Sequence, residues 1–401
     1  MTEITHFGLV ILIVAAIVAL AVFSNKVSEQ VPIPAPAIFL LAAAAAAHLS
    51  PRLGDKLSIL DVERVAVVAL ALILFDGGMR VGWKRFRVAA VPICVLGVVG
   101  TFATAGLIAL AGRYLFDFSW TGAGILGAAL APTDPAVMFS VLGKREVRGR
   151  TGTILEGESG VNDPVGIALM LGMIEFATHA DSSFWVVVRE FLVEMSVGLA
   201  VGIAGAWVVL VSLRRIHLSN PALYPLRSLA AAGVIYGVAA VAHGSGFLAV
   251  FVAGIVIGDA HYPRRNEVER FHTSLASLAE VVVFVALGLS INRVSLSPVW
   301  TDGILIALLL VLARPVAIAP LLAPLRLRPG ERLFVMWSGL KGAVPILLAA
   351  FALLEGVPGA ERIYAIVFVV VAFSVIFQGG SVPFVARKLG IPMRIVYRED
   401  A

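Results

Sequence analysis

The sequence predicts an all-α polytopic membrane protein with about 13 transmembrane helices. Three observations carry that prediction. Of 401 residues, 60% are hydrophobic and 14% charged, with a mean hydropathy of +0.97, whereas soluble domains carry roughly one quarter charged residues. The apolar residues gather in stretches of about 20, the length that crosses a bilayer core as a helix. Lys and Arg fall in short clusters between those stretches, so the formal net charge of +5 reads as membrane topology and predicts no nucleic-acid partner.

Cutting the chain at polar or Pro- and Gly-rich breaks puts the span starts near Phe7, Ile33, Val62, Val88, Trp120, Thr151, Trp185, Tyr224, Gly246, Ser274, Val299, Arg332 and Arg362. No basic residue precedes the first stretch and a dozen similar ones follow it, so it reads as a span and not as a cleaved signal. Lys and Arg favour one set of alternate loops by roughly three to one. The rich set includes Lys84, Arg85 and Arg87, then Lys144, Arg145, Arg148 and Arg150. The side that keeps basic residues is cytoplasmic, which predicts an N-terminus outside, a C-terminus in the cytoplasm and an odd number of spans in the cell membrane. Residues 1–401 then form a single integral membrane domain. It divides into a first repeat at about residues 7–179, a linker helix at about 185–213 and an inverted second repeat at about 224–390, a transporter signature.

The fifth span contains Ala131-Pro132-Thr133-Asp134-Pro135, and the twelfth, its partner under that division, contains Ser338-Gly339-Leu340-Lys341-Gly342-Ala343-Val344-Pro345. A proline inside a helix removes a donor and clashes with the preceding turn, so both spans are expected to be interrupted. Unwound backbone at membrane depth must line a cavity or face protein. Its carbonyls can bind a cation, and the half-helix ends carry partial charges that Asp134 and Lys341 would compensate.

The sixth span opens with the densest polarity in the chain, Glu156-Gly157-Glu158-Ser159-Gly160-Val161-Asn162-Asp163-Pro164. An ionised carboxylate in hydrocarbon costs several kcal/mol unless paired or hydrated. Asp163 is therefore expected to face the bundle interior and to take up a proton readily. The same oxygens suit Na⁺ or K⁺, and competition of proton and cation for one carboxylate couples their opposed movements. Ser159 and Asp163, four apart, share a helix face. Asn162 points about 100° away from Asp163, so one binds and the other braces. Glu158 needs a cationic partner, for which Lys341 is the candidate, and Glu156 is expected at a solvated helix start.

These residues resemble the NhaP-type branch of the monovalent cation/proton antiporter superfamily over most of the chain. The resemblance rests on Thr133-Asp134-Pro135, on the run from Glu158 to Pro164, on Arg314-Pro315 and on Trp337-Ser338-Gly339-Leu340-Lys341-Gly342-Ala343-Val344-Pro345. Leu74-Phe75-Asp76-Gly77-Gly78 and residues 249–258 are further similar to the K⁺/H⁺ subgroup. The resemblance implies inverted six-helix repeats with crossed discontinuous helices. A mobile core (mainly 88–179 and 299–388) would move against a scaffold that forms a homodimer (mainly 7–78 and 224–290). It implies Asp163 as the ion- and proton-binding carboxylate, with Asp134, Ser159 and the Thr133 carbonyl as further ligands of Na⁺ or K⁺. Asn162 would brace the broken fifth span and Glu158 would pair across the core, with Arg314 as a fixed positive charge. The Asn-Asp pair implies electroneutral exchange. The sequence departs from the family in carrying Lys341 where arginine is common, and lysine lacks the planar fork. It also ends soon after the last span, which gives no support for nucleotide or ligand gating.

A cation channel lined by the same carboxylates is the alternative. An enzyme is not expected. There is no His-Glu-x-x-His site, Gly157-Glu158-Ser159-Gly160 lacks the nucleophile-elbow spacing, and the only cysteine, Cys94, excludes a disulfide framework. No cofactor or nucleotide is called for. Asp76 is read either as an interfacial helix end or as part of an ion funnel. Glu194 and Glu280 are left evenly between lining a cavity and bonding to a neighbouring helix. The histidines, His272 among them, are expected at solvated loop edges.

Overall fold

A computed structural model describes residues 34–49, 58–142, 145–179, 184–291, 294 and 296–395, together with Gly8, Leu12, Ala15 and Ala19, which are helical. The remainder of the stretch predicted from Phe7 lies outside the described residues. The chain is almost wholly helical. In order come α1 (Ala35–Leu49) and α2 (Ile59–Cys94), which runs on through a π-helical segment (Val95–Gly100) into α3 (Thr101–Leu115). Then follow α4 (Trp120–Leu130), α5 (Pro135–Leu142), α6 (Gly149–Thr178), α7 (Phe184–Arg215), α8 (Leu223–Val241), α9 (Gly246–Gly258) and α10 (Arg265–Ser290). The last part comprises α11 (Trp300–Leu322), α12 (Pro329–Trp337), α13 (Ala343–Leu354), α14 (Ala360–Phe373), a second π-helical segment (Ser374–Gly379) and α15 (Gly380–Lys388).

Grouped by span, α4 and α5 are two halves of the fifth, α12 and α13 two halves of the twelfth, and α14 with α15 the thirteenth. The predicted starts hold to within a few residues except at two spans. α2 contains two spans, separated at Gly82 (φ 64°, ψ 159°), a backbone conformation open to glycine and strained for any residue with a Cβ. The fourth span thus begins next to Gly82 and not near Val88, because Asp259 Oδ2 accepts from the Lys84 amide at 2.6 Å and caps the new helix. The tenth span starts at Arg265, ahead of Ser274. In both places the basic residues that look like loop sit on the first turns of a helix, where long stems carry charge to water.

Small residues set how closely the spans approach. Gly254 and Gly258, one turn apart on α9, press against Phe75, Gly78 and Met79 of α2, and a Cβ on Gly254 would lie 3.0 Å from the Met79 amide and nearer still to the Phe75 carbonyl. This is the small-xxx-small packing by which membrane helices gain dispersion contacts without a hydrophobic driving force. α10 lies on α1 and α2, α7 bridges α6 and α9, and α3, α4, α11, α13 and α14 form a neighbouring group. Two short strands unforeseen in the sequence, β1 (Arg145–Val147) and β2 (Met393–Ile395), pair antiparallel and tie the end of the fifth span to the end of the thirteenth.

Replacing Gly254 by Val should force α9 from α2 and lower stability by about 1–3 kcal/mol. Thermal unfolding in detergent should show a reduced midpoint. Gly233→Ala, at a site with nothing within 4 Å of the added carbon, should leave it unchanged.

Candidate ion-binding site

Pro135 opens α5, where its missing amide hydrogen costs nothing, and Pro132 sits in the gap after α4. The residues between α12 and α13 form the matching gap. The two gaps cross and are joined by a backbone bond, the Asp134 amide donating to the Leu340 carbonyl at 2.8 Å. Lys341 is wholly buried. Its Nζ donates to the carbonyls of Ala131 (3.0 Å) and Pro132 (2.9 Å), acceptors that the end of α4 leaves without intrahelical partners. A cation there also complements the negative pole of that half-helix. On the other side the Asp134 carboxylate lies against Gly342, so close that a Cβ could not be accommodated. This sets a negative charge at the positive pole of α13. Each gap thus supplies the charge that the other span's half-helix needs.

The π-helical turn of the thirteenth span closes the remaining backbone groups. Ser374 Oγ accepts from the Lys341 amide (2.9 Å) and donates to Gln378 Oε1 (3.0 Å), while Gln378 Nε2 donates to the Trp337 carbonyl (2.7 Å). Ser374 and Gln378 were not singled out from the sequence. Two polar residues four apart in an otherwise apolar run were the available signal.

α6 continues helical through Pro164 and brings its polar residues to the gap in the fifth span. Asn162 Nδ2 donates to Thr133 Oγ1 at 2.8 Å, and Thr133 Oγ1 lies 3.4 Å from Ser159 Oγ. Asp163 is 7% exposed, and its Oδ1 has no hydrogen-bond partner among the described residues. Asp163 and Asp134 line a cavity of about 30 Å³ with Ala343, Val344 and Leu347 of α13, and its far wall is Ala66, Leu70 and Ile73 of α2 with Glu280, Val283 and Phe284 of α10. That is room for a water or a largely dehydrated cation.

Asp163, Asp134, Ser159, Thr133, Asn162, Glu158, Lys341 and Arg314 are therefore gathered at one crossing, but one pairing differs from expectation. Glu158 pairs with Arg314, Nη2 to Oε1 at 2.7 Å, both side chains almost fully buried, and not with Lys341. The compact ammonium is already engaged by two carbonyls, whereas the longer guanidinium reaches from α11 across Gly339, where a Cβ would collide with it. The tertiary arrangement also overturns one solvated reading: His272 is buried, with Nε2 2.8 Å from Ser228 Oγ. Glu156 stays part-exposed in the early turns of α6, where its Oε2 meets the half-exposed Arg85 at 2.8 Å. Asp76 is buried, pairs with Arg80 (2.7 Å) and accepts from Thr273 (3.0 Å). Glu280, left open by the sequence, faces the cavity. Its signal was a lone acid in an apolar stretch.

A protein family described as sodium/hydrogen exchanger, transmembrane, matches residues 6–388. The chain belongs to the sodium/hydrogen exchanger family. The exchanger is 34% identical to a K⁺/H⁺ antiporter NhaP of Alkalimonas amylolytica over 96% of this chain and 68% of that one. It is 32% identical to a K⁺/H⁺ antiporter NhaP2 of a Shewanella species over 95% and 67%, respectively. A Na⁺/H⁺ antiporter NhaH of Halobacillus aidingensis is 27% identical over 82% and 85%. Its fold is that of the sodium proton antiporter MjNhaP1 of Methanocaldococcus jannaschii at pH 8, with a TM-score of 0.75 at 20% identity over 96% of this chain and 99% of that one. The exchanger is accordingly an almost wholly helical, multi-span membrane protein with the NhaP antiporter fold.

Removing one partner of a buried ion pair strands the other charge. Arg314→Ala in the exchanger should destabilise it by about 3–5 kcal/mol. The double variant Glu158→Leu/Arg314→Met should lose much less. Denaturation of the purified variants measures both, and additive losses would contradict the pair.

Proposed function

We infer that this chain is a secondary active antiporter, a transporter and not an enzyme, that exchanges Na⁺ or K⁺ for H⁺ at Asp163. One observation carries the reading: a buried carboxylate oxygen, without a hydrogen-bond partner among the described residues, borders a cavity at the crossing of two interrupted helices. Such an oxygen needs a proton or a cation, and it has room for either in turn. Asp134, Ser159 and the Thr133 carbonyl complete the cation's oxygen ligands. Asn162 holds the gap in the fifth span open through Thr133, the Glu158 and Arg314 pair stiffens α6 against α11, and Lys341 keeps the end of α4 in position. With one carboxylate carrying either one proton or one monovalent cation, the exchange is one for one and electroneutral.

Alternating access follows if the group built on the fourth to sixth and eleventh to thirteenth spans moves against a scaffold built on the second, third and eighth to tenth, with the scaffold pairing into a homodimer. The loop charges support an N-terminus outside and a cytoplasmic C-terminus in the cell membrane. A channel is disfavoured, because relatives more than 30% identical to this chain are named as antiporters and the cavity has room for a single ion.

Purified protein in vesicles with an imposed pH gradient should collapse that gradient when Na⁺ or K⁺ is added, and Asp163→Asn should abolish the response. A wild type that moves no protons on cation addition refutes the reading. Direct competition also fixes a sign. As pH falls through the range where Asp163 is protonated, the apparent KM for the cation should rise by about tenfold per unit with an unchanged maximal rate.

A further inference from the structure

The site residues argued so far belong to the interrupted fifth and twelfth spans and to the sixth, eleventh and thirteenth. The cavity they border has a second wall, and that wall carries a carboxylate. Glu280 of α10 lines the cavity with Asp134 and Asp163, and its Oε1 is buried with no hydrogen-bond partner among the described residues. It is set in apolar surroundings of Val283 and Phe284 on its own helix and Ala66, Leu70 and Ile73 of α2. Nothing in the packing explains a carboxylate there. A glutamate that only bridged helices would find a donor, as Asp76 does one face-equivalent step earlier, where Thr273 of α10 donates to it.

The charges around the cavity indicate what occupies it. Arg314 is engaged by Glu158, Arg80 by Asp76, and the ammonium of Lys341 by two carbonyls. Among the described residues three carboxyl groups, Asp134 at the start of α13 and Asp163 and Glu280 with their orphan oxygens, border a space of about 30 Å³ with no cationic side chain lining it. Ionised carboxylates crowded in low dielectric require a counter-charge, and the space admits only a small one. A cation of that size can reach two carboxylates directly or keep a bridging water to one of them.

We propose that Glu280 is a cation-coordinating and selectivity-determining residue of the transport site, contributed by α10 from the wall opposite Asp163, directly or through one water. It rests on the antiport reading above and adds to it a ligand from the scaffold side. A cation held between Asp163 and Glu280 bridges the two groups of helices. Its fit across that gap, and not the Asp163 shell alone, distinguishes Na⁺, K⁺ and Li⁺.

The experiment compares wild type, Glu280→Gln and Glu280→Asp in vesicles, with proton movement recorded against the concentration of each of the three cations. Glu280→Gln should raise the KM for the preferred cation by about tenfold or more, as expected for loss of one charge-assisted contact. Its maximal rate should stay within about twofold, and the preference among the three cations should narrow. Glu280→Asp should retain most of the affinity and shift the order of preference. An unchanged KM and order in Glu280→Gln overturns the proposal, as does a fall in maximal rate alone, which marks a structural role. Should Glu280→Gln fail to fold, an unaltered KM and order in Glu280→Asp is the overturning result. Loss of proton movement in the wild type, by contrast, refutes the antiport reading itself.

Discussion

Backbone groups freed inside a bilayer must find partners within the protein, and the crossing of the two interrupted spans is where this chain meets that requirement. Four half-helix ends meet at membrane depth. Lys341 takes the carbonyls of Ala131 and Pro132, Asp134 faces the start of α13, its amide bonds Leu340, and Gln378 reaches the carbonyl of Trp337. Without these contacts the gaps would close into helix or fill with water. With them the interior holds a stable polar pocket, into which α6 can direct a carboxylate.

The same contacts separate fixed charge from exchangeable charge. Glu158 and Arg314 neutralise each other, and Lys341 is bound to dipoles that cannot leave. Asp163 Oδ1 has no hydrogen-bond partner among the described residues, so in the proposed antiport its charge is balanced by whatever enters the cavity. Coupling needs nothing more elaborate than that mutual exclusion, provided the cavity opens to one side at a time. The close glycine-mediated packing of α9 on α2 stiffens the side of the cavity that α2 contributes.

Much of this was readable from the residues. Length and apolar content gave the spans, the paired Pro-containing breaks gave the interruptions, and the resemblance pointed to the cluster around Asp163. The errors have a common cause. Starts near Val88 and Ser274 were set too late because Lys and Arg clusters resemble loop, yet a helix tolerates them on its outer turns. His272 reads as solvated from its neighbours in sequence, whereas its partner Ser228 comes from a distant span.

The sequence by itself determined that the chain crosses a membrane many times, that two symmetric helices break, and that carboxylates and a lysine lie at those breaks. Composition, periodicity and proline chemistry are local properties and need no coordinates. Only the tertiary structure decided which cation meets which anion: that Arg314 and not Lys341 holds Glu158, that Lys341 closes the end of α4, and that Glu280 lines the same cavity as Asp163. Those choices depend on the crossing angle and reach of helices far apart in the chain, information that no single stretch of residues contains.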